Sequence, residues 1–202
     1  MLQLTTLNLV LTYMGAPVAD DGVTIDTSQW SVGDQQVITS MIGHVSAAFE
    51  NYCSRAFTIG TYTVNALLAG RAVYVDQYPV QSVSSVLVSR CGRSQYLSAW
   101  SDWEIGPDND CIIIFGAPEE SLVQATFVGG LAADTNDVIA NSPDLNGICN
   151  LQVATLWRRH NTADRHGMSL GTGTTSWNKE YKLLDDVADT LDQYYRAAHN
   201  IF

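Results

Sequence analysis

Between positions 34 and 53 the apolar residues Val37, Ile38, Met41, Ile42, Val45, Ala48, Phe49 and Tyr52 recur at steps of three and four. That is the period of one helical face, so an amphipathic helix is expected there. Ser31 and, three positions on, Asp34 supply its N-terminal cap, because both side chains can engage the free N–H groups of the first turn. A shorter helix is expected over 5–14, set apart by the Gly-, Pro- and Asp-containing stretch 15–30. From 57 to 128 the texture changes to short β-branched and aromatic runs broken by Gly, Pro, Asn and Asp, which predicts strands at 62–67, 72–75, 83–89, 96–99, 103–105, 111–115 and 122–128. Pro107-Asp108-Asn109-Asp110 reads as a hairpin connection.

Helix returns at Ser142-Pro143, where Ser offers a cap and Pro suits the first helical position, and continues through Leu145, Ile148, Leu151, Leu156 and Trp157. The segment 161–178 carries Gly167, Gly171, Gly173 and many Ser and Thr residues and reads as a long flexible loop. A final helix is expected from 183 to 198, with Leu184, Val187, Leu191 and Tyr194 on one face. The order of helices, strands and helices predicts an α+β fold. N-terminal (1–56) and C-terminal (131–202) helical parts bundle together, with an antiparallel sheet or small barrel (57–130) inserted between them as one co-folded unit.

Composition narrows the function. A chain of 202 residues with 46% hydrophobic and 15% charged residues is long and apolar enough to bury a substantial core. Its 21 acidic residues against 10 Lys plus Arg leave a net charge of −11, which disfavours general affinity for DNA phosphates. The first fifteen residues lack a basic n-region, and the apolar runs are too short to span a bilayer, so the expectation is a soluble protein made in a cytoplasm, with no membrane partner. Cys53, Cys91, Cys111 and Cys149 show no C-x-x-C pairing and are expected as reduced thiols without metal.

Catalytic and cofactor signatures are missing. His44, His160, His166 and His199 have no metal-ligand spacing, and Gly171-Thr172-Gly173-Thr174-Thr175 lacks the Lys of a phosphate-binding loop. No G-x-S-x-G stretch occurs. Asp185, Asp186, Asp189 and Asp192 read as the solvated side of the last helix or a contact for a basic partner. The expectation is a non-enzymatic protein with no cofactor. Arg158, Arg159 and His160, with Arg165 and His166, form the one basic cluster of this acidic chain. Two readings stand side by side: charges complementing a helix C-terminus, or contacts for an acidic or phosphate-bearing partner. Trp177 and Lys179 extend the partner-binding candidates, Trp and Arg being frequent interface anchors.

Phe49-Glu50-Asn51-Tyr52-Cys53-Ser54-Arg55-Ala56-Phe57 resembles the "I-E-x-Y-C-x-R-x-F" stretch of phage head-tail connector (adaptor) proteins. Tyr78-Pro79-Val80-Gln81-Ser82-Val83-Ser84-Ser85-Val86 is similar to that family's "P-V-x-S-V-x-S-V", and Val123-Gln124-Ala125-Thr126-Phe127-Val128-Gly129-Gly130 to its "V-x-Y-x-x-G-Y". Ser142-Pro143-Asp144-Leu145 and Leu183-Leu184 with Tyr194-Tyr195-Arg196 match its last two helices, so the ordered motifs cover nearly the whole chain. Phe127 stands where the family usually has Tyr, and Leu131 where an aromatic often follows the glycines. By residue chemistry the motif positions are architectural: Phe49, Tyr52 and Phe57 pin a helix end to the first strand, and Arg55 reaches carbonyls at that helix terminus.

The resemblance implies a virion neck subunit assembled in the host cytoplasm. It implies a homo-oligomeric ring, commonly of twelve subunits, between the portal protein and a stopper or tail-completion protein, with DNA passing through its centre without sequence-specific binding. The rival readings are another virion component, such as a tail-completion or baseplate protein, and a small hydrolase with a dispersed triad.

Overall fold

The computed structural model describes residues 2–19, 24–68, 70–90, 93–97, 101–166 and 183–195. Among these the chain is α+β, as expected, with α1 (Leu7–Tyr13), α2 (Val32–Tyr52), α3 (Thr135–Asn141), α4 (Pro143–His166) and α5 (Asp185–Leu191). The strands are β1 (Gly60–Leu67), β2 (Ala72–Tyr74), β3 (Val80–Arg90), β4 (Arg93–Tyr96), β5 (Trp103–Ile105), β6 (Cys111–Ile114) and β7 (Leu122–Gly129). Two compact units result: a helical one holding the chain up to Cys53 with Asp134–Tyr194, and a β unit holding Ser54–Ala133.

In the helical unit, α2 starts on a reciprocal capping box. Ser31 Oγ accepts from the Asp34 N–H at 3.1 Å and Asp34 Oδ2 accepts from the Ser31 N–H at 3.0 Å, satisfying two donors that the first turn leaves unpaired. Its apolar stripe, Ile38, Met41, Ile42, Val45 and Phe49, is buried, as are Leu145, Cys149, Val153 and Trp157 of α4. A polar network crosses this core. Leu4 donates its N–H to Ser46 Oγ and accepts at its carbonyl from Asn146 Nδ2, Thr5 Oγ1 donates to Asn150 Oδ1, and Asn150 Nδ2 donates to Asn146 Oδ1. Each buried polar group thereby has a partner, and the segment before α1 is tied to α2 and α4.

Burial pushes the Cys149 thiol up to about 12 from an ordinary value of 9.0, although a hydrogen bond to Ser46 works the other way. An unfolded chain would ionise this thiol near pH 9 while the folded chain keeps it neutral. Its stabilising contribution is therefore complete below about pH 9 and lost as pH rises towards about 12, at up to ~1.4 kcal/mol per pH unit. Denaturant titrations across that window should show a shallower pH slope for Cys149→Ala than for the parent. Parallel slopes would mean that the thiol titrates normally.

In the β unit, β1, β7, β3 and β4 form one antiparallel sheet in that order, and β2, β6 and β5 form a second. The expected inserted sheet is thus a pair of sheets sharing one apolar cluster, to which the first contributes Val86, Val88, Val123, Ala125 and Phe127 and the second Val73, Ile112 and Ile114. Alternation along β1 turns Tyr62, Val64 and Ala66 towards the cluster and Thr61, Thr63, Asn65 and Leu67 outward.

Arg55 is 4% exposed, with its guanidinium 3.6 Å from the centre of the Tyr78 ring and Nη2 donating to the Tyr78 carbonyl. Beside the expectation that it reaches carbonyls at the α2 terminus, it takes a carbonyl of the segment before β3. Arg55 therefore joins two of the motifs read in the sequence, the one ending α2 and the one starting β3, through a cation–π contact and a charge-assisted hydrogen bond.

Three further differences have local causes. The fourth strand is 93–96 and not 96–99, because β3 extends to Arg90 and the chain pairs back at once, Arg90 opposite Arg93 and Leu87 opposite Tyr96. Helix α3 was not foreseen. It is capped by Asp134, whose carboxylate accepts from the N–H groups of Asn136 and Asp137, and only Val138 is buried, so it carries almost no apolar period. Helix α4 continues through His166, so 161–166 are helical where a loop was expected; no Gly or Pro interrupts 161–166. The rest of that expected loop lies outside the described residues.

Candidate functional site

The basic cluster falls on α4, where burial and exposure separate neighbouring residues. Trp157 is 7% exposed, whereas Arg158 and Arg159 are exposed to solvent. The His160 ring stacks on Trp157 with 5.6 Å between centroids and 9° between planes, and Trp30 meets Trp157 at 5.7 Å and 51°. Trp30 is itself held in the turn before α2: its N–H donates to the Thr27 carbonyl and its carbonyl accepts from Gln35 Nε2. This aromatic pile anchors α4 against the turn preceding α2 and fixes the stretch of helix that displays the two arginines. Trp30 was not singled out in the sequence; the available signal was a Trp immediately before the Ser31 cap.

The extension of α4 bears on the two readings of the cluster. A macrodipole acts within the last turn of a helix. Arg165 and His166 stand in that turn, but Arg158 and Arg159 lie about two turns earlier, in the helix interior. Dipole complementation therefore does not account for the two exposed arginines. Of the other candidates, the side chains of Arg165 and His166 and the whole of Trp177 and Lys179 lie outside the described residues.

The acidic residues of α5 are separated from this cluster by role. Asp185, Asp186 and Asp189 are exposed, while Val187 and Leu191 are buried. Asp192 accepts from the Tyr52 hydroxyl and Asp144 from the Tyr194 hydroxyl, both at 2.7 Å. The bond to Asp192 holds the Tyr52 phenol above its ordinary range, since it favours the protonated form. Gln152, 2% exposed, accepts from the Leu184 N–H and fixes the start of α5 on α4. These contacts make Asp192 and Asp144 structural acceptors.

Among the described residues no group of three or more His, Cys, Asp or Glu side chains is placed to hold a metal ion, and no helix is long and apolar enough to cross a membrane. Cys53, Cys111 and Cys149 are buried and form no disulfide with one another, and Cys91 lies outside the described residues.

No family model matches the chain, and no curated protein does. Solved structures do match its fold. A chain in the neck of an empty gene transfer agent particle, computed with sixfold symmetry, aligns with a TM-score of 0.53 at 17% identity over 95% of this chain and 89% of that one. A chain of a native gene transfer agent virion aligns at 0.52 and 14% identity with the same coverage. The chain shares its fold with these chains of gene transfer agent particles. At these identities the likeness is one of fold, and it extends over both units described above.

Proposed function

We propose that this protein is a head-tail connector subunit of a phage-type particle, a structural protein that forms a ring between the portal and the tail-side proteins and performs no bond chemistry. The observation that carries the reading is the fold likeness to chains of gene transfer agent neck and virion particles over 95% of this chain. The ordered connector-like motifs point the same way, and two of them meet at the Arg55–Tyr78 contact.

Ring assembly follows from repetition of one heterologous contact that closes when neighbours complete the circle. In this reading the ring holds twelve copies. The net charge of −11 suits a channel through which DNA passes, because repulsion of phosphates shortens their residence on the wall. Arg158, Arg159, Arg165, His166, Trp177 and Lys179 are the contacts for the portal. Two adjacent exposed arginines on a helix held by an aromatic stack are preorganised for carboxylates of an acidic partner surface.

Electron microscopy of particle necks, with native mass spectrometry of the isolated protein, tests the ring: monomer or closed ring is expected, and a dominant closed dimer overturns the reading. For the portal contacts, Arg158→Glu with Arg159→Glu should leave the fold intact and weaken joining to purified portal at least tenfold, more steeply at low salt. Normal joining by that variant, and by Trp177→Ala, would remove these residues from the interface.

A further inference from the structure

The outward face of the four-stranded sheet stands apart in this acidic chain. Neither β1 nor β7 contains an Asp, Glu, Lys or Arg, and the one charged residue in each of β3 and β4, Arg90 and Arg93, pair with each other at the hairpin end. Both arginines fall in the alternation that includes Val88, facing the other way. No charged residue therefore occupies an outward position on any of the four strands. The face is uncharged and mostly polar, with exposed Thr61, Thr63, Asn65 and Gln124, and it carries three large apolar side chains: Leu67 and Leu122 side by side in register at 68% and 48% exposure, and Tyr96, 72% exposed, opposite Leu87. Hydroxyls complete the face: the Ser89–Ser94 pair, 2.8 Å apart, lies in the row of the two leucines, and the Thr63–Thr126 pair, 3.3 Å apart, lies two rows further along.

Resting on the ring reading above, we propose that this face packs against the next copy of the same chain. Copies that each carry −11 repel where two charged surfaces meet, whereas this face brings no like charge to the contact and no ion of its own to be desolvated. Its size fits: four strands ~4.8 Å apart and about eight residues long at ~3.3 Å each cover roughly 500 Å² in projection, the order of the ~800 Å² of accessible surface each partner contributes to a standard interface. The β1 edge supports the same occupant. Its eight residues, Gly-Thr-Tyr-Thr-Val-Asn-Ala-Leu, include no Lys, Pro or charge of the kind that protects a free edge from pairing. The contact is heterologous, this face of one copy meeting a different surface of the next, since face-to-face pairing would close a dimer and end assembly.

The test combines native mass spectrometry over a concentration series with microscopy of necks, using the full chain. Leu67→Glu with Leu122→Glu, both at exposed positions, should keep the parental circular dichroism and lower the apparent ring-assembly constant at least hundredfold. Tyr96→Glu, on a different strand, should lower it at least tenfold, and Leu122→Thr, which adds no charge, should have a smaller effect than either. Parent rings with unimpaired rings of the Glu variants would overturn this inference and leave the ring reading standing. Normal rings of the variants that fail to join the portal or a tail-side protein would also overturn it, assigning the face to a different protein. Absence of a ring of the parent from particle necks, as well as from solution, would sink the ring reading and this inference with it.

Discussion

Gly129→Ala and Gly130→Ala are each expected to lower the unfolding free energy by roughly 3 kcal/mol or more, the sum of overpacking and, at Gly130, backbone strain. Gly130 has φ +123°, which L side chains rarely adopt, and a Cβ there would overlap the Thr58 carbonyl. That carbonyl cannot easily give way: it accepts from the Tyr62 hydroxyl at 2.7 Å, and Thr58 bridges to Ala132. At Gly129 a Cβ would overlap the Gln77 carbonyl, again backbone and not a flexible side-chain tip. Gly147 in α4 is the control, because nothing lies within 4 Å of its added Cβ; Gly147→Ala should be neutral or stabilising by about 0.5–1 kcal/mol. Denaturant unfolding of the three variants decides the matter, and a loss below about 1 kcal/mol at Gly130 would show that the turn after β7 relaxes easily.

Truncating Phe127 should be as damaging. Its side chain is 1% exposed on β7, with Tyr62 of β1 and Val83 of β3 as register partners on either side and the Tyr62 ring 6.1 Å away. A strand paired on both edges cannot move inward to fill a hole, so Phe127→Ala should cost about 3–5 kcal/mol. Phe127→Tyr, which restores the residue usual in the connector-like motif, should cost about 1–3 kcal/mol if its hydroxyl is buried without a partner. Thermal and denaturant midpoints of the two variants check the order. A Tyr variant as stable as the parent would mean that the ring edge at position 127 reaches water or an acceptor.

Local sequence sufficed wherever an element carries its own period and its own ends. The 3.6-residue stripe of α2 and the Ser31–Asp34 pair describe both its buried face and its cap, and the β-branched runs locate six of the seven strands to within a few residues. The exception shows the limit. Residues 93–96 have no buried side and become a strand because β3 runs to Arg90 and offers its edge, a fact of pairing and not of propensity. Helix α3 likewise buries one apolar residue and exists through a cap and its neighbours.

For the candidate surfaces the division is similar. That Arg158 and Arg159 are clustered is visible in the string, and so is the absence of charge from β1 and β7. Their meaning needed three dimensions. Only the length of α4 removes the two arginines from the reach of the helix dipole, and only the stack on Trp30 shows what holds them. Only the order β1-β7-β3-β4 lays four separate uncharged outward rows side by side into one face, and sets Leu67 beside Leu122 from strands more than fifty residues apart. Caps and periods are short-range physics and travel with the sequence; strand neighbours and stacked rings join residues distant along the chain, and it is packing that selects them.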